Sequence, residues 1–322
     1  MIRPRSALFF LRATLLLALA GCGGRSSESG KPPVSYRDQV AAAQKEPIPE
    51  VRAKKLIRIA YRQAKAQDEF GAEDTFDLAA KACRQTEDPS SRARAFALLA
   101  QAQAGLGNHT PAQRALDSAM KAAGLIKEPE PLARTLAKLA EVQGAQNDRA
   151  GALQTLKSAE ELAGRLKDPD GNDDVFGRSL LLSTLAGSYH KLGEASEASR
   201  AIAAALELAK SVDDDLRQCE LLGTIAATQH ETASKDTAEY TFAAALETAR
   251  QIETAHKKAY ALADLAEKLS QCGYHAKAHE VLDEADLVAH QIPEADLQQQ
   301  TVQKVRSLMG TLPKPKGQHP LQ

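Results

Sequence analysis

The 322-residue chain has no tryptophan, three methionines and an aromatic content of only 4%. A core built on large rings is therefore excluded, and its volume must come from aliphatic side chains and alanine. Cysteine is equally sparse, with four residues spread along the chain, so a disulfide-stapled scaffold is excluded too. Neither sign of charge dominates: 41 basic residues stand against 42 acidic ones. Without residues 1–21, which hold three Arg and no acid, the balance moves to about −4. That leaves no basic footprint of the kind nucleic acid requires. There is no phosphate-cradling Gly-rich loop, no HExxH and no GxSxG. No catalytic residue and no cofactor is expected.

What the chain does have is a repeat. Ile59-Ala60, Leu99-Ala100, Leu139-Ala140, Leu185-Ala186, Ile225-Ala226 and Leu265-Ala266 follow one another at 40, 40, 46, 40 and 40 residues. With the first residue of each pair as the anchor, a large apolar residue stands three before it: Leu56, Phe96, Leu136, Leu182, Leu222, Leu262. Thirteen after it come Ala72, Ala112, Ala152, Ala198, Ala238 and Ala278, and twenty after it Ala79, Ala119, Ala159, Ala205, Ala245 and Ala285. Between these, seventeen after the anchor, stand Phe76, Leu116, Leu156, Ile202, Phe242 and Leu282. Spacings of 3, 4 and 7 put apolar residues on one helical face, so each repeat reads as two amphipathic helices. Gly105, Gly107, Asn147, Gly193 and Gly273 mark the turn between them, with Thr110 as N-cap and Pro111 at the first helical position of one second helix. The alanines let helix backbones approach closely, and the large residue at seventeen fills the groove between them.

This pattern resembles the tetratricopeptide (TPR) family. The resemblance covers roughly residues 51–291. The usual first-helix Trp is replaced by Leu or Phe, the usual Tyr survives only as Tyr189, and the period is 40 rather than 34. It implies an all-α, right-handed α/α solenoid of about six TPR-like helix pairs. A stretch at 294–309 (Leu297, Val302, Val305, Leu308) lacks the alanines and reads as a C-terminal capping helix.

The N-terminus reads as an address. Arg3, Arg5 and Arg12 precede the apolar run Ala13–Ala20, a signal-peptide pattern too short to span a bilayer. Leu19-Ala20-Gly21-Cys22 then resembles the bacterial lipobox, which implies cleavage before a lipidated Cys22 and a lipid anchor in the membrane. Gly23 at the next position implies the outer membrane, facing the periplasm, in a Gram-negative host. The expected organisation is a signal peptide at 1–21, lipidated Cys and flexible tether at 22–50, a TPR-like domain at 51–310 and a disordered tail at 311–322. A short helix from Tyr36 to Lys45 is expected within the tether.

Function is then sought along the first helices, which line the concave face of TPR-like solenoids. Five residues before the anchor stand Lys54, Arg94, Arg134, Leu180, Glu220 and Tyr260. One before it stand Arg58, Leu98, Lys138, Thr184, Thr224 and Asp264, and two after it Tyr61, Gln101, Glu141, Gly187, Ala227 and Glu267. The row is basic over the first three repeats and acidic over the last two, the pattern of a bipolar groove for an extended peptide or a protein surface. Lys54, Arg58, Tyr61, Arg94, Arg134, Lys138, Glu220, Asp264 and Glu267 are its candidate partner-binding residues, and a protein or peptide of the cell envelope its expected partner. The competing readings are a small-ligand or metal-binding envelope protein and a structural spacer. His275 and His279, four apart on a helix, lack an evident third ligand. Residues 168–174 place Asp173 where an EF-hand needs Gly, and read as a longer solvated turn. Cys83, Cys219 and Cys272 are expected as free, mostly buried thiols. The last two stand roughly 20 Å apart on equivalent helices, well beyond disulfide reach.

Overall fold

The computed structural model describes residues 35–233 and 235–313, all of them helix, turn or irregular chain apart from one isolated bridge at Lys167–Asp173. The expected signal peptide, Cys22 and most of the expected tail lie outside the described residues. Six helix pairs follow one another. The first helices are α2 (Pro49–Lys65), α4 (Pro89–Ala104), α6 (Pro129–Ala145), α8 (Val175–Lys191), α10 (Asp215–Thr232) and α12 (Ala255–Gln271). Their partners are α3 (Glu69–Gln85), α5 (His109–Ala123), α7 (Arg149–Ala163), α9 (Ala195–Lys210), α11 (Lys235–Gln251) and α13 (His275–Ala289). The protein is an all-α solenoid of six TPR-like pairs, flanked by α1 (Tyr36–Gln44) and α14 (Ala295–Thr311).

The phase is strict. Every first helix begins ten residues before its anchor and every second helix ten after it. Local chemistry sets these limits. The carboxylates of Asp88, Asp174 and Asp214 accept the N–H three residues on at the start of first helices, and Asp68 and Asp148 do so for second helices. Proline occupies the opening turn of α2, α4 and α6, where its missing N–H costs no hydrogen bond. In five repeats the residue eight after the anchor is left-handed: Gln67 (φ 65°), Gly107 (80°), Asn147 (66°), Gly193 (78°) and Gly273 (83°). The next N–H then reaches the carbonyl five residues back, from Asp68 to Gln63, Asn108 to Gln103, Asp148 to Gln143, Glu194 to Tyr189 and Tyr274 to Leu269. This is the 6→1 bond of a Schellman C-cap. The fifth repeat has Ala233 there, at φ −131°. One start differs from the sequence expectation. Asn108, not Thr110, is the N-cap of α5, because the left-handed turn at Gly107 starts the helix earlier and leaves Pro111 within its first turn.

Packing follows the repeat. The alanines one and twenty after the anchor are fully buried in all six repeats, and the anchors are at most 5% exposed. A further small position was missed in the sequence, six before the anchor: Ala53, Ala93, Ala133, Ser179, Cys219 and Ala259 are all buried. Where that residue is Ser179, its hydroxyl donates to the Ala205 carbonyl at 2.8 Å across the pair. Another missed position, four after the anchor, holds a glutamine in four repeats. Gln63 and Gln143 donate to the capping Asp68 (2.9 Å) and Asp148 (3.4 Å), and Gln143 also accepts from Thr155 at 2.8 Å. Helix ends, turn and second helix are thereby tied together beneath the surface.

The two flanking helices keep the 40-residue phase. Val305 of α14 stands 40 after Leu265 and is 1% exposed, so α14 is the first helix of an unfinished seventh repeat. Arg306 replaces the alanine there and pairs with Asp286 at 3.3 Å. At the other end, Tyr36 and Ala43 stand 40 before Phe76 and Cys83. Ala43 is buried, and the Tyr36 hydroxyl donates to the Arg62 carbonyl at 3.3 Å. The expected short helix within the tether is thus part of the folded unit, the last half of a second helix whose apolar face needs α2 to cover it. The folded unit accordingly reaches back to Tyr36 rather than stopping at 51.

The six extra residues of the 46-residue interval fall between α7 and α8. The loop closes on itself: the Asp168 carboxylate accepts from the N–H groups of Asp170 (3.0 Å) and Asn172 (2.8 Å), and Lys167 pairs with Asp173 at 2.7 Å. Both adjoining helices keep their phase.

Two substitutions test this account by thermal or urea unfolding. Gly107→Ala should cost about 1 kcal/mol, through the backbone alone, since an added Cβ there meets no atom within 4 Å. Ala226→Leu should cost about 1–3 kcal/mol by forcing helices apart.

Candidate functional site

Each first helix packs its anchor side on its own second helix, and its flanks on the neighbouring first helices, on both sides from α4 to α12 and on one side for α2. Seven helices, α2 to α14 by even number, therefore stand in one row, and one stripe of each is left uncovered. That stripe carries the candidate residues. Arg58, Arg94, Arg134, Lys138, Glu220, Asp264 and Glu267 are exposed, and Lys54 and Tyr61 half-buried. The row brings them to one side of the chain.

Most of the charges are already partnered. Glu50 accepts from Lys54 at 2.7 Å and lies 3.9 Å from Arg94 on the next helix. Arg134 pairs with Glu130 at 2.9 Å, and Glu141 holds both Lys138 (2.8 Å) and Lys191 (3.0 Å). At the far end Asp264 pairs with Lys268, and the Lys304 ammonium lies over the Tyr260 ring at 4.2 Å. The bipolarity is thus smaller than the residue types alone imply. Five cations of the first three repeats face Glu50, Glu130 and Glu141; Glu220, Asp264 and Glu267 face Lys268. A positive excess remains at one end and a smaller negative excess at the other. Arg58 and Glu220 make no side-chain ion pair among the described residues.

The centre of the row was passed over in the sequence. In repeat four the stripe holds Leu180, Thr184 and Gly187, and in repeat five Thr224 and Ala227 beside Glu220; apart from Glu220 these are uncharged and mostly small. At its upper edge Phe176 and Leu216 are half-buried against the core, with the Arg217 guanidinium 5.4 Å from the Phe176 ring. A Cβ added at Gly187 would meet no atom within 4 Å, so the helix backbone is bare there. The stripe therefore runs from a basic end, over a largely uncharged centre, to an acidic end. Glycine and alanine two after the anchor were the available signal.

Behind the stripe, a clamp joins repeats three and four. Tyr189, 1% exposed, donates to Glu160 at 3.1 Å, and Arg200 grips the same carboxylate through two bonds of 2.7 and 2.8 Å. The Arg200 hydrogen bonds hold Glu160 below the usual carboxylate range against its burial. Burial raises Glu141, but the bonds from Lys138 and Lys191 outweigh it and leave that carboxyl lowered as well. Burial, with the neighbouring Glu160, raises the Tyr189 phenol.

The remaining candidate chemistry does not assemble. His275 reaches the Ser270 hydroxyl (3.3 Å), and His279 the Pro313 carbonyl (3.2 Å). Among the described residues, no three His, Cys, Asp or Glu side chains stand close enough to share a metal ion. Cys83, Cys219 and Cys272 are free thiols, and burial pushes Cys83 and Cys219 up to about 12. No helix among the described residues is long and apolar enough to cross a membrane.

No protein family and no curated protein matches the chain. Among solved structures it is similar to Ton1535 from Thermococcus onnurineus NA1, with 14% identity, a TM-score of 0.40, and coverage of 84% of this chain and 95% of that one. It is also similar to the TPR-like repeats of a putative kinesin light chain from Podosopora anserina (17%, TM-score 0.35, 64% and 98% covered). A third is a Rap protein complexed with Competence and Sporulation Factor (11%, TM-score 0.35, 85% and 84% covered).

The lowered carboxylates give a pH prediction. A carboxyl held below its ordinary 4.5 contributes stability that is complete above that value. The contribution is lost as the pH falls through the depressed value. The midpoint of urea unfolding should therefore drop below pH 4.5. Glu160→Gln should cost about 1–2 kcal/mol at pH 7 and flatten that acid limb; an unchanged limb would contradict the clamp.

Proposed function

We propose that the chain is a lipid-anchored interaction module of the bacterial cell envelope, a non-enzymatic scaffold or adapter held to the membrane through Cys22. Its first-helix stripe takes an extended peptide or a protein surface, with the acidic end of the partner over repeats one to three. The observation that carries this reading is the uninterrupted row of uncovered first-helix faces, whose excess charge changes sign from one end to the other. Solenoids bind partners along such extended faces, and charge complementarity sets orientation and association rate more than affinity. The anchoring rests on the signal-like segment and Leu19-Ala20-Gly21-Cys22. In a Gram-negative host Gly23 favours delivery to the outer membrane, facing the periplasm.

Two experiments test it. Lys54→Glu/Arg94→Glu/Arg134→Glu should abolish in-cell crosslinks that the native chain makes to an envelope partner. Exposed ion pairs contribute only about 0–1 kcal/mol each, so the variant should keep its helical circular dichroism. Equal crosslinking by both forms sinks the stripe as the docking face. Cys22→Ser should move the protein from the membrane to the soluble fraction and remove the acyl mass from its N-terminus; a native protein that carries no acyl mass sinks the anchor.

A further inference from the structure

Charge is unevenly placed along the chain. Residues 36–65, which form α1, α2 and the loop between them, hold eight basic residues against three acidic ones. Residues 66–313 hold 26 against 38. Half of the basic excess lies along one helix. Lys55, Arg58, Arg62 and Lys65 recur at spacings of 3, 4 and 3 and are all exposed, so they form one stripe on α2. Only Arg58 belongs also to the partner row. Lys55 stands four before the anchor, where the later first helices have Ala95, Thr135, Leu181, Leu221, Ala261 and Thr301, all buried. α2 ends the row, with no first helix before it, and there the same position is an exposed cation. One carboxylate offsets the stripe: Glu46 holds Lys55 at 2.6 Å. Arg62 donates to the Gln39 amide oxygen at 3.0 Å, and Lys65 lies 5.5 Å from the centre of the Tyr61 ring. Arg37, Lys45 and Arg58 make no ion pair among the described residues.

The second observation is apolar. Eleven before the anchor, the other first helices have Asp88, Glu128, Asp174, Asp214, Thr254 and Glu294 at the N-cap. α2 has Ile48 there, which makes no side-chain cap and is 55% exposed. Its N–H donates at 3.4 Å to the same Glu46 carboxylate that holds Lys55, so the exposed isoleucine and the start of the basic stripe share one corner. An apolar N-cap costs a helix about 1 kcal/mol relative to Asp or Ser. Folding therefore does not account for this residue.

We propose that the α1–α2 end of the row lies against an anionic phospholipid surface, with Lys45, Lys55 and Arg62 at the headgroup phosphates and Ile48 entered among them. Cations at such a surface and an apolar side chain within it add their contributions. The occupant is argued from the chain's own course. Cys22 stands fourteen residues before Tyr36, a step of at most about 50 Å, so an anchor there keeps this end close to a bilayer; that part of the argument rests on the anchor proposed above. A second copy stacked end to end meets no counter-charge, because α14 at the other end presents Gln300, Gln303 and Ser307, exposed and uncharged.

The test is flotation of the full chain carrying Cys22→Ser, which cannot be acylated, with vesicles of phosphatidylcholine alone or with about one-third phosphatidylglycerol. The chain should float with the anionic vesicles only, and release them at about 1 M salt, where the Debye length is ~3 Å. Lys45→Gln/Lys55→Gln/Arg62→Gln should weaken partitioning at least about tenfold, and Ile48→Ser about threefold. Serine is a competent N-cap, so Ile48→Ser should melt no lower than the unaltered chain. Lys121→Gln/Lys157→Gln, on second helices, should leave partitioning unaltered. No flotation with anionic vesicles at low salt, or equal flotation of the three-glutamine form, overturns the proposal. The anchor is read separately: a native chain without acyl mass whose Cys22→Ser form floats loses the anchor and keeps this face, and an acylated chain whose Cys22→Ser form stays in solution does the reverse.

Discussion

Close approach of helix backbones is the constraint on which the rest of this protein depends. A chain without tryptophan and with few aromatic residues cannot fill wide gaps between helices, so it draws the helices together instead. Alanine one and twenty residues after each anchor, fully buried in every repeat, sets that distance. The single large residue at seventeen fills what is left. Dispersion falls steeply with separation, so contacts this close are where a core of small side chains gains its cohesion. The same spacing aligns the first helices into one row and so determines which stripe of each remains for a partner.

The helix pairs were legible because one face of each helix obeys a six-fold repeated rule. What escaped the sequence reading was polar or small and obeyed the rule only in part. The buried position six before the anchor is alanine four times but Ser179 and Cys219 otherwise, so no single residue type announced it. The glutamine four after the anchor appears in four repeats, and its role emerges only once Asp68 or Asp148 is folded back onto it. The helix at Tyr36–Gln44 was foreseen, but its packing was not, because nine residues are too few to show a period.

The stripe was legible in composition and not in electrostatics. Lys54, Arg134 and Lys138 read as free cations along the chain, yet each has a carboxylate three or four residues away on its own helix. Pairing of that kind is local and could have been counted. The link from Lys191 to Glu141 across two helices could not, since it depends on the lateral packing of α6 and α8. Attention to charge also drew the eye from Gly187 and Ala227, whose contribution is the absence of a side chain.

The phase of the end helices bears on how such a chain can change in length. Both α1 and α14 are fragments of the same 40-residue unit, set where a complete neighbour would stand. A whole unit duplicated or lost anywhere between them would leave each end facing the surface it already covers. Six residues, by contrast, entered only at the join between one unit and the next, where a self-closed loop absorbed them. The architecture thus permits growth in whole units and tolerates partial ones only at the seams, so homologous chains should differ in length by multiples of the repeat.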